Sequence, residues 1–180
     1  MITAAIVLYK ENEEVLKKTV ISFLNTPIEK KLFLIDNSPT NKLGQLFKHK
    51  DIEYIFMGSN IGFGNAHNFV IENLNSTHHL ILNPDIEFTS LVIPKLIEEI
   101  EMHKRVSFIT PKVVHPYNEI QYVCRKHPTF LDLLNRKLKV SKSKIFENEY
   151  RKQALEEPFH PNFIHGCFML FKTAEFKKLG

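Results

Sequence analysis

The feature that most constrains the fold is a regular alternation of short apolar runs with amphipathic segments between Ile2 and Ile109. Four runs predict strands: Ile2–Tyr9, Lys31–Ile35, Ile52–Met57 and His79–Leu82. The first is a continuous apolar run with β-branched members, which is typical of a strand buried on both faces of a sheet. Three segments carry apolar residues at helical spacing: Asn12–Leu24, Phe63–Leu74 and Leu91–His103. This alternation predicts an α/β fold, with a mostly parallel sheet that carries helices on both faces.

The second part of the chain is less regular. After a further short strand at Val106–Ile109, the stretch from Val113 to Asn162 is rich in proline and charge, and we expect it to leave the sheet. A helical pattern around Phe130–Leu138 lies inside this stretch. Phe168–Phe171 then predicts a strand that returns to the sheet, and Thr173–Leu179 predicts a closing helix.

Composition narrows the class of protein. The chain has 180 residues, 43% of them apolar, and a net charge of +4, which is too small an excess to indicate a nucleic-acid partner. No apolar run approaches the ~20 residues of a membrane-spanning helix, and the apolar start lacks the basic lead of a signal peptide, so we expect a cytoplasmic location. Cys124 and Cys167 lack metal-ligand spacing and are expected to be buried thiols.

Basic residues are concentrated in one stretch, residues 125–152, where they alternate with leucine and phenylalanine. One interpretation is the solvated face of an ordinary helix. The alternative is peripheral contact with the anionic inner face of a membrane.

Polar residues follow the ends of the predicted strands. The clusters are Lys10–Asn12, Asp36–Ser38, Gly58–Asn60 and Asn83–Glu87. Because the carboxyl ends of parallel strands meet at one edge of a sheet, we expect these side chains to converge there. Carboxylates, amides and glycines at one edge are what a nucleotide site requires, including oxygen ligands for a divalent cation.

Five segments in this order resemble those of family 2 glycosyltransferases with the GT-A fold, a Rossmann-like α/β fold, and in particular their rhamnosyltransferase-like branch. The segments are Ile6–Lys10, Leu34–Ser38, Asn60–Asn68, Leu82–Asp85 and His165–Leu170. The resemblance covers essentially the whole chain. It implies an enzyme that forms a single GT-A-like domain over residues 1–180, with a nucleotide-sugar-binding half at 1–112 and an acceptor-side half at 113–180.

The resemblance implies roles for the residues that would hold the nucleotide sugar. Asp36 stands where the family's carboxylate accepts the ring N–H of a pyrimidine, although Asp-Asn-Ser is also good Asx-turn chemistry. Tyr9 and Glu11 match the positions that hold the same nucleoside, while the family more often has asparagine where Lys10 stands. The other positions that it assigns to the nucleotide sugar are Asn60, Gly62, Gly64, Asn68, Asn83 and Asp85.

Asn83-Pro84-Asp85 occupies the place of the family's Asp-X-Asp metal motif. We expect Asp85 to bind Mg²⁺ or Mn²⁺ together with the donor diphosphate, and Glu87 to be a supplementary ligand if the segment is extended. A turn cap is the alternative role of Asp85. His165 and Gly166 match the acceptor side, and the other histidines are expected on the surface or in loops.

The family places its catalytic base after a motif whose first glycine is matched by Gly180, so the base is expected beyond that residue and no residue here is assigned to it. We expect transfer of a sugar from a dTDP- or UDP-linked donor, with rhamnose a candidate, to a saccharide or lipid-linked acceptor of bacterial surface polysaccharide. The alternative is a non-catalytic nucleotide-binding or interaction module. The sequence does not fix the sugar, the acceptor, the stereochemical outcome or the oligomeric state.

Overall fold

The first strand of the chain becomes the interior of a six-stranded sheet in the computed structural model, which describes residues 1–127, 150 and 157–179. The strands of this sheet are β1 (Ile2–Leu8), β2 (Lys30–Asp36), β3 (Ile52–Phe56), β4 (His78–Leu82), β5 (Phe108–Ile109) and β10 (Phe168–Lys172). Their order is β3-β2-β1-β4-β10-β5. The pairs β3–β2, β2–β1 and β1–β4 are parallel, whereas β10 is antiparallel to both β4 and β5. The mostly parallel sheet predicted from the sequence is therefore confirmed.

The helices lie on both faces of this sheet, as predicted. They are α1 (Glu13–Leu24), α2 (Phe63–Ile71), α3 (Val92–Met102) and α4 (Thr173–Leu179). The helices α1 and α3 pack on the face that includes Ile6 and Leu8, whereas α2 and α4 pack on the face that includes Ala5. Because neighbouring residues of a strand point to opposite faces and helices cover both, β1 is apolar at every position except Thr3. Each fully buried Leu or Ile of this core contributes roughly 1.5–3 kcal/mol.

The start of α1 shows how local sequence sets an element boundary. Asn12 caps the helix, because its side-chain oxygen accepts hydrogen bonds from the N–H groups of Glu14 at 2.9 Å and Val15 at 3.2 Å. Glu13 and Glu14 place negative charge in the first turn, where the helix dipole favours it. This cap was predicted from the sequence, and the helix begins where predicted.

Several element boundaries differ from the prediction by one to three residues, and two of these differences have a clear structural cause. β2 continues through Asp36, which was assigned to the following turn, because Asp36 pairs with Leu8 of β1 and Phe56 of β3. The helix α2 ends at Ile71 instead of Leu74, since Asn73 and Leu74 donate to the carbonyls three residues earlier and tighten into a turn.

The segment Lys112–His165 forms a compact unit of its own, apart from Met1–Pro111 with the residues from Gly166 onward. Its described part contains two antiparallel pairs: β6 (Val113–Val114) with β7 (Ile120–Gln121), and β8 (Cys124–Arg125) with β9 (Phe163–Ile164). None of these strands joins the main sheet, so the predicted excursion is confirmed.

Two sequence predictions lie mostly outside the described residues. The helical pattern at 130–138 falls entirely there, as does most of the basic stretch at 125–152. Within the described part of the chain, no helix has both the length and the apolar character needed to cross a membrane.

Candidate functional site

The polar clusters named from the sequence follow strands whose carboxyl ends meet at one edge of the sheet. In the parallel ladders, Leu8 lies opposite Asp36, and Asp36 lies opposite Phe56. The ladder continues into the loops, because Asn37 N–H donates to the Leu8 carbonyl at 2.9 Å and Met57 N–H donates to the Asp36 carbonyl at 2.9 Å. β4 runs parallel to β1, so Asn83 follows at the same edge.

Three strand ends bring carboxylates to this edge, and two of them act electrostatically on the third, Glu11. Glu11 follows β1, Asp36 ends β2, and Asp85 follows β4. Partial burial raises the pKa of Glu11, a backbone hydrogen bond from Tyr9 opposes the rise, and the negative charges of Asp85 and Asp36 add to it. The structure therefore brings Glu11, Asp36 and Asp85 together, although they are far apart in the sequence.

Asp36 is fully buried, and both of its carboxylate oxygens accept hydrogen bonds. Ser38 N–H donates to Oδ1 at 2.8 Å, which is the Asx-type turn considered from the sequence. The Tyr54 hydroxyl donates to Oδ2. Each carboxylate oxygen has a second lone pair, so this arrangement leaves acceptor capacity for a ligand N–H. The nucleoside role of Asp36 remains a prediction.

Sequence analysis did not single out Tyr54. It lies on β3, the edge strand of the sheet, and partial burial together with its bond to Asp36 raises the pKa of its hydroxyl. A Cβ on Gly44 would lie 3.0 Å from the Tyr54 ring, so this glycine leaves room for the ring. A tyrosine within an apolar strand was the available signal, but only the register between β2 and β3 shows what it contacts.

Hydrogen bonds from two asparagine side chains fix the backbone of the loop that precedes α2. Asn60 Oδ1 accepts the Gly62 N–H at 2.9 Å, and Gly62 has φ +85°, a conformation that favours glycine. The Gly62 carbonyl accepts the Asn37 side-chain amide at 3.3 Å, which ties the loop to the end of β2. A Cβ on Gly62 or on Gly64 would meet nothing within 4 Å. Gly64 therefore has no packing neighbour that requires glycine, and Asn68 lies exposed one turn further along α2.

The segment after β4 is fixed to α1. The buried Thr19 hydroxyl donates to the Pro84 carbonyl at 2.7 Å, and Ser22 Oγ accepts the Phe88 N–H at 3.2 Å. The Glu87 carboxylate lies 3.5 Å from the Lys18 ammonium. Residues 84–85 form a turn, so the segment is not extended as the Glu87 interpretation required.

The donor set at this edge consists of oxygens. Asp85 is exposed, and its negative charge raises the pKa of the half-buried Glu11. Asn83 is half-buried, and its backbone N–H donates to the Cys167 carbonyl at 2.9 Å. Among residues 1–127, 150 and 157–179, no three His, Cys, Asp or Glu side chains form a metal cage on their own. Mg²⁺ and Mn²⁺ are commonly bound through one or two carboxylates together with substrate phosphates, so the exposed carboxylate of Asp85 has the chemistry that such an ion requires.

His165 and Gly166, which the resemblance predicts on the acceptor side, belong to different compact units of the chain, and their role remains a prediction. His165 is an exposed residue of the Lys112–His165 unit, where its N–H donates to the Val123 carbonyl at 2.8 Å. Gly166 begins the returning part of the sheet unit, and a Cβ there would lie 3.6 Å from Met169 and 3.8 Å from Phe63, which is ordinary contact.

The expectation that the histidines other than His165 lie on the surface or in loops is wrong for three of them. His67 on α2 and His78 and His79 on β4 are buried. His79 Nδ1 lies 2.9 Å from Thr3 Oγ1, and His78 Nε2 lies 2.8 Å from Glu101. β4 is covered on both faces, so a histidine at either of its first two positions is enclosed.

The two cysteines also differ from each other. Cys167 is buried, whereas Cys124 is only half-buried. Burial raises the pKa of the Cys167 thiol, and the nearby charge of Asp85 raises it further. The expectation of two buried thiols is thus correct for Cys167 alone.

The family model described as "Glycosyl transferase family 2" matches residues 3–180. The chain belongs to this family. A curated relative, the low-salt glycan biosynthesis hexosyltransferase Agl10 of Haloferax volcanii, is 32% identical over 122 residues, which are 63% of this chain and 38% of the relative.

Solved structures give the same fold. A mannosyltransferase from Pyrobaculum calidifontis, in complex with GDP-Man and Mn²⁺, aligns with a TM-score of 0.64 and 15% identity over 99% of this chain and 46% of its own. TarS 1-349 from S. aureus in complex with UDP-GlcNAc aligns with a TM-score of 0.62 and 12% identity over 99% of this chain and 47% of its own. The fold is of the GT-A type, and the chain spans less than half the length of these relatives.

Proposed function

We propose that this chain carries the donor site of a glycosyltransferase, which binds a nucleoside diphosphate sugar at the carboxyl edge of its sheet. The proposal rests on the position of Glu11 within electrostatic range of Asp36 and Asp85 at the ends of three strands. Gly62, just before α2, and Gly64, in its first turn, also have open space where a Cβ would stand. Ligands of open α/β sheets bind at this edge. Family membership supports the same assignment.

The donor is a dTDP- or UDP-linked sugar in this proposal, with rhamnose among the candidates, and the acceptor is a saccharide or a lipid-linked saccharide of a surface polysaccharide. The Haloferax relative is named as a hexosyltransferase of glycan biosynthesis, which supports a hexose and a glycan acceptor. The two structural neighbours are bound to GDP-Man and UDP-GlcNAc, so guanosine and uridine donors both deserve testing.

Asp85 is the proposed ligand of Mg²⁺ or Mn²⁺, with Glu11 beside it; Glu87 is a weaker candidate because it pairs with Lys18. Such an ion supplies charge that stabilises a departing nucleoside diphosphate. The neighbour from Pyrobaculum contains Mn²⁺ with its nucleotide sugar, which supports a divalent ion here.

The chain's own residues hold the donor in this scheme. Tyr9 offers an exposed ring beside the nucleoside. Asp36 accepts a base N–H on the lone pairs that Ser38 and Tyr54 leave available, and because its carboxylate has no exposed surface in this structure, the side chains that cover it must move when the nucleotide enters. The open backbone at Gly62 and Gly64 permits close approach of the phosphates or the sugar. Transfer also requires a group that accepts the acceptor hydroxyl proton; none is assigned here.

The test is calorimetric titration of the chain with UDP, dTDP and GDP, in Mn²⁺ and then in EDTA. We expect at least one nucleotide to bind with a Kd below about 1 mM in Mn²⁺ and much more weakly in EDTA. If no nucleotide binds while circular dichroism shows a folded α/β protein, the donor site is excluded and the non-catalytic interaction module takes its place.

A further inference from the structure

A lysine at the carboxyl edge has a backbone conformation that lysine seldom adopts. Lys10 follows β1 directly and has φ +58°, in the left-handed region. A Cβ makes this region unfavourable, and glycine and asparagine enter it most readily. The Lys10 N–H donates to Ser38 Oγ at 2.8 Å, which holds the backbone in place. Asparagine or glycine would satisfy this backbone better, so the fold does not explain a lysine here.

The Lys10 side chain is available to a ligand. It is exposed, and its ammonium lies 5.2 Å from the centroid of the Tyr9 ring, which is itself exposed. Within the described part of the chain, no carboxylate lies at ion-pair distance from this ammonium. A cation over a solvent-exposed ring is held weakly, so it can exchange this contact for a stronger partner.

The surroundings of Lys10 indicate an anionic partner. The next residue is Glu11, which lies within electrostatic reach of Asp36 and Asp85. Three carboxylates repel a diphosphate, so binding one at this edge is favoured by positive charge, from the divalent ion proposed above and from a cationic side chain beside it. Lys18 of α1 is already paired with Glu87 of the segment after β4. Lys10 is thus a cation beside the carboxylates that has no charged partner among the described residues.

We propose that Lys10 binds the phosphate oxygens of the donor nucleoside diphosphate, an assignment that rests on the donor site proposed above. The ammonium moves from the face of the Tyr9 ring to the phosphates when the nucleotide enters, and the ring face becomes available to the nucleoside. A charge-assisted hydrogen bond to phosphate is stronger than the contact it replaces. The left-handed backbone at Lys10 is energetically unfavourable, and in this proposal its function is to project the lysine side chain from the end of β1 towards the phosphates.

The test compares Lys10→Asn, Lys10→Gln and Lys10→Arg with the unaltered chain and with Lys95→Gln, which removes an exposed lysine of α3. Asparagine suits the left-handed backbone, so Lys10→Asn is expected to melt at the same temperature as the unaltered chain or higher. Binding of UDP, dTDP and GDP is measured in Mn²⁺ at two salt concentrations, together with binding of uridine, thymidine and guanosine.

We expect Lys10→Asn and Lys10→Gln to weaken binding of the preferred diphosphate roughly tenfold, with a smaller dependence on salt, while the nucleoside binds as before. Lys10→Arg is expected to retain most of the affinity, and Lys95→Gln all of it. If Lys10→Asn binds the diphosphate as tightly as the unaltered chain does, the role of Lys10 is overturned while the donor site stands. The same conclusion follows if Lys10→Asn loses as much affinity for the nucleoside as for the diphosphate. Failure of the unaltered chain to bind any nucleotide would overturn the donor site, and Lys10 with it.

Discussion

The hydroxyl of Tyr54 donates a hydrogen bond to Oδ2 of Asp36, and this bond joins the edge strand of the sheet to its most deeply buried carboxylate. Asp36 has no solvent-exposed surface, so its charge depends on donors supplied by the protein. The Ser38 N–H donates a second hydrogen bond, to Oδ1 of Asp36. Tyr54 is therefore a structural support of the proposed nucleotide site.

Removal of this hydroxyl should destabilise the fold. Tyr54→Phe keeps the ring but leaves Oδ2 of Asp36 buried without its donor, which costs about 1–3 kcal/mol. Denaturant unfolding of the two proteins measures the difference. Tyr117→Phe is the matched control, because Tyr117 is 90% exposed and its loss should change the free energy of unfolding by less than about 0.5 kcal/mol. Equal stability of Tyr54→Phe and the unaltered chain would show that the bond is not important.

Gly64 should be a position where stability and ligand binding change in opposite directions. A Cβ at Gly64 would meet no neighbour within 4 Å, and alanine has a higher helix propensity than glycine. Gly64→Ala should therefore stabilise the protein by up to about 1 kcal/mol. If the donor approaches this backbone closely, the same methyl group should weaken nucleotide binding severalfold.

Thermal melting and calorimetry on the same Gly64→Ala sample separate the two effects. Lys95→Ala, on the exposed surface of α3, serves as the control for alanine substitution in a helix. Unchanged nucleotide affinity in Gly64→Ala would remove this glycine from the proposed site.

Two buried histidines should make the protein sensitive to acid. Burial lowers the pKa of His67 to about 4 and that of His79 to about 3, the latter with a contribution from His67. Both ring nitrogens of His67 lack a hydrogen-bond partner among the described residues; Phe63 packs against its ring. His79 contacts Thr3 and stacks on Phe176.

The direction of the pH effect follows from these lowered pKa values. Below the unfolded pKa of 6.5 the unfolded chain takes up protons that the folded chain does not, so stability is full above that pH and declines towards pH 4. His67 alone contributes a loss on the order of 3 kcal/mol over this range. His67→Phe should reduce the pH dependence of the unfolding free energy between pH 6 and 4 by about one proton, whereas His160→Phe, at an exposed histidine, should not. An unchanged slope in His67→Phe would show that His67 titrates normally.

The sheet and its helices were predictable because their signals are local. The apolar run at the start of β1 and the Asn12 cap of α1 each specify an element without reference to the rest of the chain. The rule that parallel strands share a carboxyl edge then placed Glu11, Asp36 and Asp85 at one site, although it did not give their contacts.

The remaining features depend on tertiary structure. The Tyr54–Asp36 bond requires the register between β2 and β3. The turn at residues 84–85 directs Glu87 to Lys18, and spacing alone could not show this. The burial of His78 and His79 follows from the central position of β4, which no short sequence window reveals.

The central claim is a metal-dependent donor site at Asp85. Its most direct test is calorimetric titration with UDP, dTDP and GDP, in Mn²⁺ and in EDTA, on the unaltered chain, on Asp85→Asn and on Glu98→Gln, an exposed control on α3. The account predicts that Asp85→Asn remains folded and loses the Mn²⁺-dependent part of the affinity, at least about tenfold, whereas Glu98→Gln binds normally. Mn²⁺-dependent binding of equal strength in Asp85→Asn and the unaltered chain would contradict it.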